Sequence, residues 1–143
     1  MKLSFALSSL LILFAGGCSK ETQNDFICNM EQKSVMTSNV DELNKTTTDN
    51  YTMKVEVDTK NNFLKLNGVL CGKEELFIEE NEIRCGEVSL EPLSEYEMTK
   101  IDRVTSIATH RRQFVINHKG AVLVSTIKSQ GLCVPYDKTK KAF

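Results

Sequence analysis

Tyr51-Thr52-Met53-Lys54-Val55-Glu56-Val57-Asp58 is the stretch of the chain that decides the fold class. Its apolar residues alternate strictly with polar residues, which is the period of a β-strand with one buried face and one solvated face. The residues from Thr59 to Asn62 are typical of a turn. The apolar run from Phe63 to Leu70 then predicts an antiparallel partner strand, in which Gly68 marks a bulge.

A second hairpin is predicted directly after the first. Glu75 to Glu79 and Glu82 to Val88 form its strands, and Glu80-Asn81 forms its turn. The hairpin ends at Leu90 to Leu93, because Pro92 has no backbone N–H to donate to a strand ladder.

The second half of the chain contains further short apolar segments. Strands are predicted near Tyr96 to Ile101, Val104 to Ala108, Gln113 to Asn117 and Ala121 to Ile127, with a turn at His118-Lys119-Gly120 before the last of them. About eight short strands without an amphipathic helix predict an all-β domain. An antiparallel β-sandwich and a small closed β-barrel are both compatible with this spacing, and only the barrel offers an interior pocket.

The segment from Glu31 to Asn50 is polar and rich in Thr, Asn and Lys. It is predicted to be a loop with at most a short helical turn near Val40 to Leu43. A frayed strand is the alternative interpretation of the same segment.

The N-terminus has the pattern of a bacterial lipoprotein signal. Lys2 supplies the positive charge, Leu3 to Phe14 is an apolar stretch too short to span a bilayer, and small residues precede Cys18. We expect Cys18 to carry the lipid and Ser19 to direct the protein to the outer membrane, on its periplasmic face, if the source is Gram-negative. Ordinary signal cleavage after Gly16 or Gly17 is the alternative.

These patterns divide the chain into four segments. Residues 1–17 are expected to be the signal peptide, residues 18–25 a tether, residues 26–137 a single β-domain and residues 138–143 a basic tail. Removal of the signal leaves 126 residues, enough for one core.

The five cysteines match an exported protein with one lipidated residue. Removing Cys18 leaves an even number, which predicts two disulfides with three possible pairings. We favour Cys71 with Cys85 and Cys28 with Cys133, because the second pair closes the long loop that the chain-entropy model stabilises most.

Composition excludes several classes of function. The chain has 18 basic and 19 acidic residues, so nucleic acid is not expected as a partner. The sequence lacks a Cys-x-x-Cys motif, and His110 and His118 lie far from the cysteines, so no metal and no cofactor are expected.

One pattern resembles a known group of proteins. Tyr96 to Thr105, which contains Ile-Asp-Arg-x-Thr, and the later Gly131-Leu132-Cys133 are similar to sequences of small uncharacterised exported lipoproteins of bacteria. Ser106 stands where that pattern has glycine. The resemblance covers about a third of the chain and implies neither an activity nor a functional residue.

Three surface patterns are candidate binding sites, each with a plainer interpretation. Asp102 and Arg103 form a possible ligand-binding pair, but a turn in which the aspartate caps backbone amides explains them better. The His110-Arg111-Arg112 run is a possible contact for lipid phosphate, although a loop is the simpler explanation. The third pattern is an acidic hairpin that suits a basic partner or, more simply, a solvated edge, and it contains Glu74, Glu75, Glu79, Glu80 and Glu82.

The sequence therefore predicts a lipid-anchored binding or interaction domain of the bacterial cell envelope, with the membrane and an envelope or host protein as candidate partners. Inhibition of a wall-degrading enzyme such as lysozyme is the alternative, on fold-level analogy. An enzyme is not expected. Hydrolysis would require His110 or His118 beside a nucleophile or carboxylate in a cleft, and no Gly-x-Ser-x-Gly motif is present.

Overall fold

A computed structural model describes residues 23–88 and 94–136 of the chain. These residues form one antiparallel sheet of nine strands, with a 3₁₀ turn at Asp41–Leu43. The strands are β1 (Gln23–Ser38), β2 (Lys45–Asp58), β3 (Phe63–Leu66), β4 (Val69–Leu70), β5 (Leu76–Ile78), β6 (Glu82–Glu87), β7 (Tyr96–Asp102), β8 (Ile107–His118) and β9 (Ala121–Pro135).

The strand order is β4-β3-β2-β1-β9-β8-β7-β6-β5. Strands that follow one another in the chain are paired, apart from β4 and β5, which lie at opposite ends of the sheet. The first and last strands, β1 and β9, are also paired with each other. The sheet curls into a half-barrel with a concave inner face and a convex outer face. The predicted all-β antiparallel class is confirmed, with nine strands rather than about eight. The described strands form neither the sandwich nor the closed barrel that was expected, because they belong to one curled sheet whose end strands, β4 and β5, do not pair with each other.

The two predicted hairpins are present. β2 and β3 are joined by the turn after Asp58, and β5 pairs with β6 so that Leu76 lies opposite Cys85. Gly68 is not a bulge, because Asn67 and Gly68 have φ angles of 50° and 83° and form the tight turn between β3 and β4.

The segment from Glu31 to Asn50 was wrongly predicted as a loop, because it completes the long β1–β2 hairpin. The alternative interpretation of the segment as a strand is confirmed on both sides of the turn, and so is the turn near Val40 to Leu43. The polar residues of β1 are held extended by ladders on both sides, with β2 and with β9, and Lys45 to Asn50 of β2 are held by their ladder with β1. Similarly, residues 107–118 form one continuous strand instead of two, and Val104 lies in the preceding turn.

Residues 23–25, which were expected to belong to the tether, are part of β1. The signal peptide, Cys18, the Pro92 region and the basic tail lie outside the described residues. No helix within residues 23–88 and 94–136 is long and apolar enough to cross a membrane.

The hydrophobic core lies on the inner face, toward the end of the half-barrel where β1 begins. Alternate residues of each strand supply it, as the period of two requires. Its largest fully buried side chains are Cys28, Met30, Val55, Val57 and Leu64. A fully buried side chain of this size contributes about 1.5–3 kcal/mol.

Candidate functional site

The inner face changes from apolar to polar along the strands. On β7 and β8 the register pairs Ile101 with Ala108, then Thr99 with His110, then Glu97 with Arg112. The first of these pairs is buried in the core, and the third approaches the rim. The half-barrel therefore has an apolar floor and a polar upper band.

A cavity of about 1070 Å³ lies above this floor. Its volume is at the upper end of the range of small-molecule sites. Its apolar lining comes mainly from Tyr51, Met53, Leu66 and Ile127. The polar lining includes Gln32, Glu74, Glu75, Glu87, Glu95, Glu97, Thr99, His110 and Arg112.

His110 is the central polar residue of the band. Its Nδ1 lies 3.0 Å from the hydroxyl of Thr99, and its Nε2 lies 4.0 Å from a carboxylate oxygen of Glu97. Burial lowers the pKa of His110 below 6.5; the charge of Glu97 opposes this effect and the charge of Arg112 adds to it. The imidazole is therefore neutral near pH 7 and is available as a hydrogen-bonding group.

Ser129 lies beside His110, as its cross-strand partner on β9. The residue is 5% exposed, and its hydroxyl is buried with no hydrogen-bond partner among the described residues. Leaving a buried hydroxyl unpaired costs about 1–3 kcal/mol, so this part of the inner face has unused hydrogen-bonding capacity.

The opening of the cavity is acidic. Arg112 lies 3.6 Å from Glu97 and neutralises one of the five lining carboxylates. The other four belong to exposed residues, Glu74, Glu75, Glu87 and Glu95. Carboxylates concentrated around one cleft favour a cationic or hydrogen-bond-donating occupant.

The four remaining cysteines lie in two disulfides, and the pairing is the one favoured by the sequence. Cys28 and Cys133 are bonded between β1 and β9, where they are directly opposite in the register. Cys71, which follows β4, is bonded to Cys85 on β6. This second disulfide connects the two ends of the curled sheet, which the sequence did not indicate.

Within the described chain, Cys71, Glu75 and Cys85 place possible metal ligands within 4.8 Å of one another. Both sulfur atoms belong to the disulfide, so neither is a thiolate that would bind a metal.

Asp102 has the structural role predicted for it. Its Oδ1 accepts hydrogen bonds from the backbone N–H groups of Val104 and Thr105, both at 2.9 Å. Arg103 donates to the carbonyl oxygen of Glu79. These contacts fix the β7–β8 turn and lie outside the cavity.

The interpretation of His110-Arg111-Arg112 as a loop is wrong. The run lies in β8, where alternation places His110 and Arg112 on the inner face and Arg111 on the outer face. The three residues therefore do not form one basic site. The side chain of His118 is outside the described part of the molecule.

The acidic hairpin is divided between two environments. Glu82 contacts Arg84, at 2.7 Å, and Lys100, while Glu79 lies 3.9 Å from Arg84. Glu74 and Glu75 line the cavity instead. The inner residues of β7 and β8 were not identified as a site from the sequence, although the alternation of residues 97, 99 and 101 was a usable signal.

Comparison with known proteins adds little. No family model matches the chain, and no curated protein matches it. Among solved structures, the ywiB protein from Bacillus subtilis is similar with a TM-score of 0.27 and 11% identity, over 78% of this chain and 94% of that one. A similarity with this score supports no conclusion about the fold or the function.

Proposed function

We propose that this chain is a bacterial envelope protein that is attached to a membrane through lipidated Cys18 and binds a ligand in the cavity of its half-barrel without catalysing a reaction. The observation that carries the binding proposal is the cavity of about 1070 Å³, with its apolar floor and polar upper band. Concave sites in which polar groups converge beside apolar residues are the usual places where proteins bind small ligands, and this cavity has both, with polar groups in the larger share.

The lining indicates the chemistry of the ligand. Met53, Leu66 and Ile127 suit an apolar body, and the carboxylates around the opening suit a cationic or donor-rich head group. The neutral imidazole of His110, which lines the cavity, offers a further hydrogen bond. The proposed ligand is therefore a small amphiphile with a positive or hydrogen-bond-donating end.

Binding of the neutral fluorescent probe N-phenyl-1-naphthylamine tests the cavity. The chain from Ser19 to Phe143 is suitable, because it contains every described strand and both disulfides. Ile127→Trp fills the cavity and is expected to weaken probe binding at least about tenfold. The control, Val122→Trp, places the same side chain on the outer face of β9. Equal binding by the two variants would contradict the proposal.

The lipid anchor requires a separate experiment. The intact mass of the protein from a bacterial host is expected to show a chain that begins at Cys18 and carries acyl groups. The Cys18→Ala variant is expected to lack those groups. An unmodified wild-type mass would overturn the anchoring proposal and leave the cavity proposal standing.

A second candidate function is inhibition of a cationic wall-degrading enzyme. The acidic opening of the cavity favours it, since a basic loop of such an enzyme is complementary to Glu74, Glu75 and Glu87. The soluble domain is then expected to inhibit a muramidase, and glutamine at these three positions to abolish inhibition. No inhibition across a panel of lysozymes would remove this candidate.

His110 lies near the hydroxyl of Thr99 and the carboxylate of Glu97, an arrangement that also occurs in hydrolases. We do not assign hydrolysis to it. Thr99 is 4% exposed and lies within β7, so its hydroxyl is poorly accessible to a substrate carbonyl. We assign the pair a positioning role in the polar band. This assignment would be overturned if the wild-type protein hydrolysed p-nitrophenyl acetate and both Thr99→Val and His110→Gln lost that activity.

A further inference from the structure

Three basic residues lie side by side on the outer face of the sheet. Lys33 on β1 is directly opposite Lys128 on β9, and Lys128 is directly opposite Arg111 on β8. All three are exposed. Neighbouring strands are about 4.8 Å apart, so this basic row spans roughly 10 Å.

The basic row lacks counter-ions, unlike most of the other cations on the strands. In the described part of the chain, Lys45 on β2 and Lys65 on β3 also lack an ion pair, but each stands without a basic residue directly opposite it on β1 or β2. Lys54, Arg84 and Arg112 each lie near a glutamate. None of the three residues of the basic row has an ion pair within the described residues. One carboxylate, that of Glu31, lies in the two rows of the outer face that flank the basic row. The row on one side consists of Glu31, Gln130 and Thr109, and the row on the other side consists of Val35, Thr126 and Gln113.

Like charges placed directly opposite on adjacent strands destabilise a sheet. A row of three such charges with a single nearby carboxylate is therefore complementary to an anionic surface. An apolar pair lies on the same outer face about 13 Å from the row, and it consists of Leu132, which is 56% exposed, and Ile107, which is half-buried. Basic and apolar residues on one face are typical of a surface that contacts anionic lipid.

We propose that the outer face of β1, β9 and β8 lies on a membrane and that Lys33, Lys128 and Arg111 contact the phosphate groups of anionic phospholipids. This inference rests on the proposed lipid anchor, which makes the membrane the partner of this face. Four residues separate Cys18 from the first residue of β1, so the anchor would keep β1 close to the membrane. The anchor is attached to one of the three strands that carry the row. Lys33 is about 33 Å along β1 from Gln23, so the row reaches the membrane when the half-barrel lies on its side.

This orientation is compatible with the cavity. The inner face of β1, β9 and β8 is opposite the basic row, so a half-barrel lying on its outer face presents its cavity away from the lipid. Anchor and basic row together supply the two signals that stable attachment to a membrane requires.

Sedimentation with lipid vesicles tests the proposal. The chain from Ser19 to Phe143 is mixed with vesicles of phosphatidylcholine alone or with one third phosphatidylglycerol. We expect preferential binding to the anionic vesicles that decreases as salt is raised. Substitution of Lys33, Lys128 and Arg111 by glutamine is expected to weaken this binding about 100-fold, from roughly fivefold for each basic residue.

The matched control substitutes three exposed lysines elsewhere, Lys45, Lys60 and Lys73, by glutamine. It removes the same charge and is expected to change binding less than about threefold. Equal losses in the two triple variants, equal binding to both kinds of vesicle, or binding to soluble heparin without binding to vesicles would each overturn the proposal. The chain from Ser19 to Phe143 lacks Cys18, so the vesicle experiment tests the basic row alone. The anchor is tested separately by the intact mass of the acylated protein.

Discussion

Cys71 and Cys85 are bonded across the two ends of the nine-stranded sheet. The backbone N–H of Cys71 donates to the carbonyl oxygen of Leu64 on β3, and Cys85 lies opposite Leu76 of β5. The disulfide thus holds one end of the sheet against the other, beside the cavity. Its removal is expected to release the ends and widen the cavity.

The two disulfides are expected to stabilise the fold unequally. In the chain-entropy model, a loop of about 15 residues contributes about 3 kcal/mol and one of about 100 residues about 4.7 kcal/mol. The sequence separations are 14 for Cys71–Cys85 and 105 for Cys28–Cys133. Urea unfolding of the two paired alanine variants is therefore expected to show the larger loss for Cys28→Ala/Cys133→Ala.

Hydrogen exchange separates the local effect of the first disulfide from its global effect. The N–H of Gly86 donates to the carbonyl oxygen of Glu75, next to the ends of the sheet. Its exchange is expected to accelerate more in Cys71→Ala/Cys85→Ala than the loss of global stability explains. If the exchange rate of the Gly86 N–H changed only in proportion to global stability in both paired alanine variants, the Cys71–Cys85 disulfide would have no local role.

The stability of the protein is expected to decrease at mildly acidic pH because of His110. Burial lowers the pKa of this residue below 6.5, so the unfolded chain binds its proton more readily than the folded protein. The contribution of His110 to the free energy of unfolding is fully present above pH 6.5 and is lost as the pH falls through the folded-state pKa. His110→Gln is expected to flatten the pH dependence measured by urea unfolding between pH 7.5 and 5.

Titration of the His110 ring by NMR tests the charges around it. Glu97 raises the pKa of His110 and Arg112 lowers it. Glu97→Gln is therefore expected to lower the pKa further, and Arg112→Gln to raise it. A pKa of His110 at or above 6.5 in the wild-type protein would show that the ring is not buried as described.

Gly131 is expected to be intolerant of any side chain. A Cβ atom at this position would lie 1.9 Å from the carbonyl oxygen of Asn29, on the paired strand β1. Because the obstacle is backbone, Gly131→Ala is expected to destabilise the protein by at least about 2 kcal/mol. Gly72→Ala is the control, since its Cβ would meet only the flexible side chain of Glu75, and it is expected to change stability by less than about 0.5 kcal/mol. Similar melting temperatures for the two variants would contradict this close approach of β9 and β1.

Asp102 is expected to stabilise the β7–β8 turn through its side-chain oxygen. Hydrogen bonds from the backbone of Thr105 and Val104 lower the pKa of Asp102 below 3.8, against a smaller opposing effect of desolvation. The contribution is present above pH 3.8 and is lost as the pH falls through the lowered pKa. Asp102→Ala is expected to lower the melting temperature more than Asp102→Asn, which keeps an acceptor oxygen. Equal effects would show that the acceptor is unimportant.

Local patterns were sufficient to predict the class of fold and two of its hairpins, β2–β3 and β5–β6. The alternation in Tyr51 to Asp58 and the turn residues after it specify a hairpin by themselves, since the side-chain period and the turn geometry are local properties. The β1–β2 hairpin is not evident in the polar sequence of Glu31 to Asn50, because its extended form depends on the pairing of β1 with β2 and of β1 with the distant β9. The signal peptide and the lipidation of Cys18 remain predictions.

The sequence by itself determined the antiparallel all-β class, the hairpin turns and a disulfide pairing that the structure contains, because these depend on the side-chain period, turn chemistry and cysteine parity. The tertiary structure alone decided how the sheet curls, where its ends meet and which polar residues face one another. Thr99, His110 and Ser129 come from three strands, and Lys33, Lys128 and Arg111 also come from three. Such groups depend on the register between strands distant in the chain, which is set by packing of the whole sheet and is not encoded in any one segment.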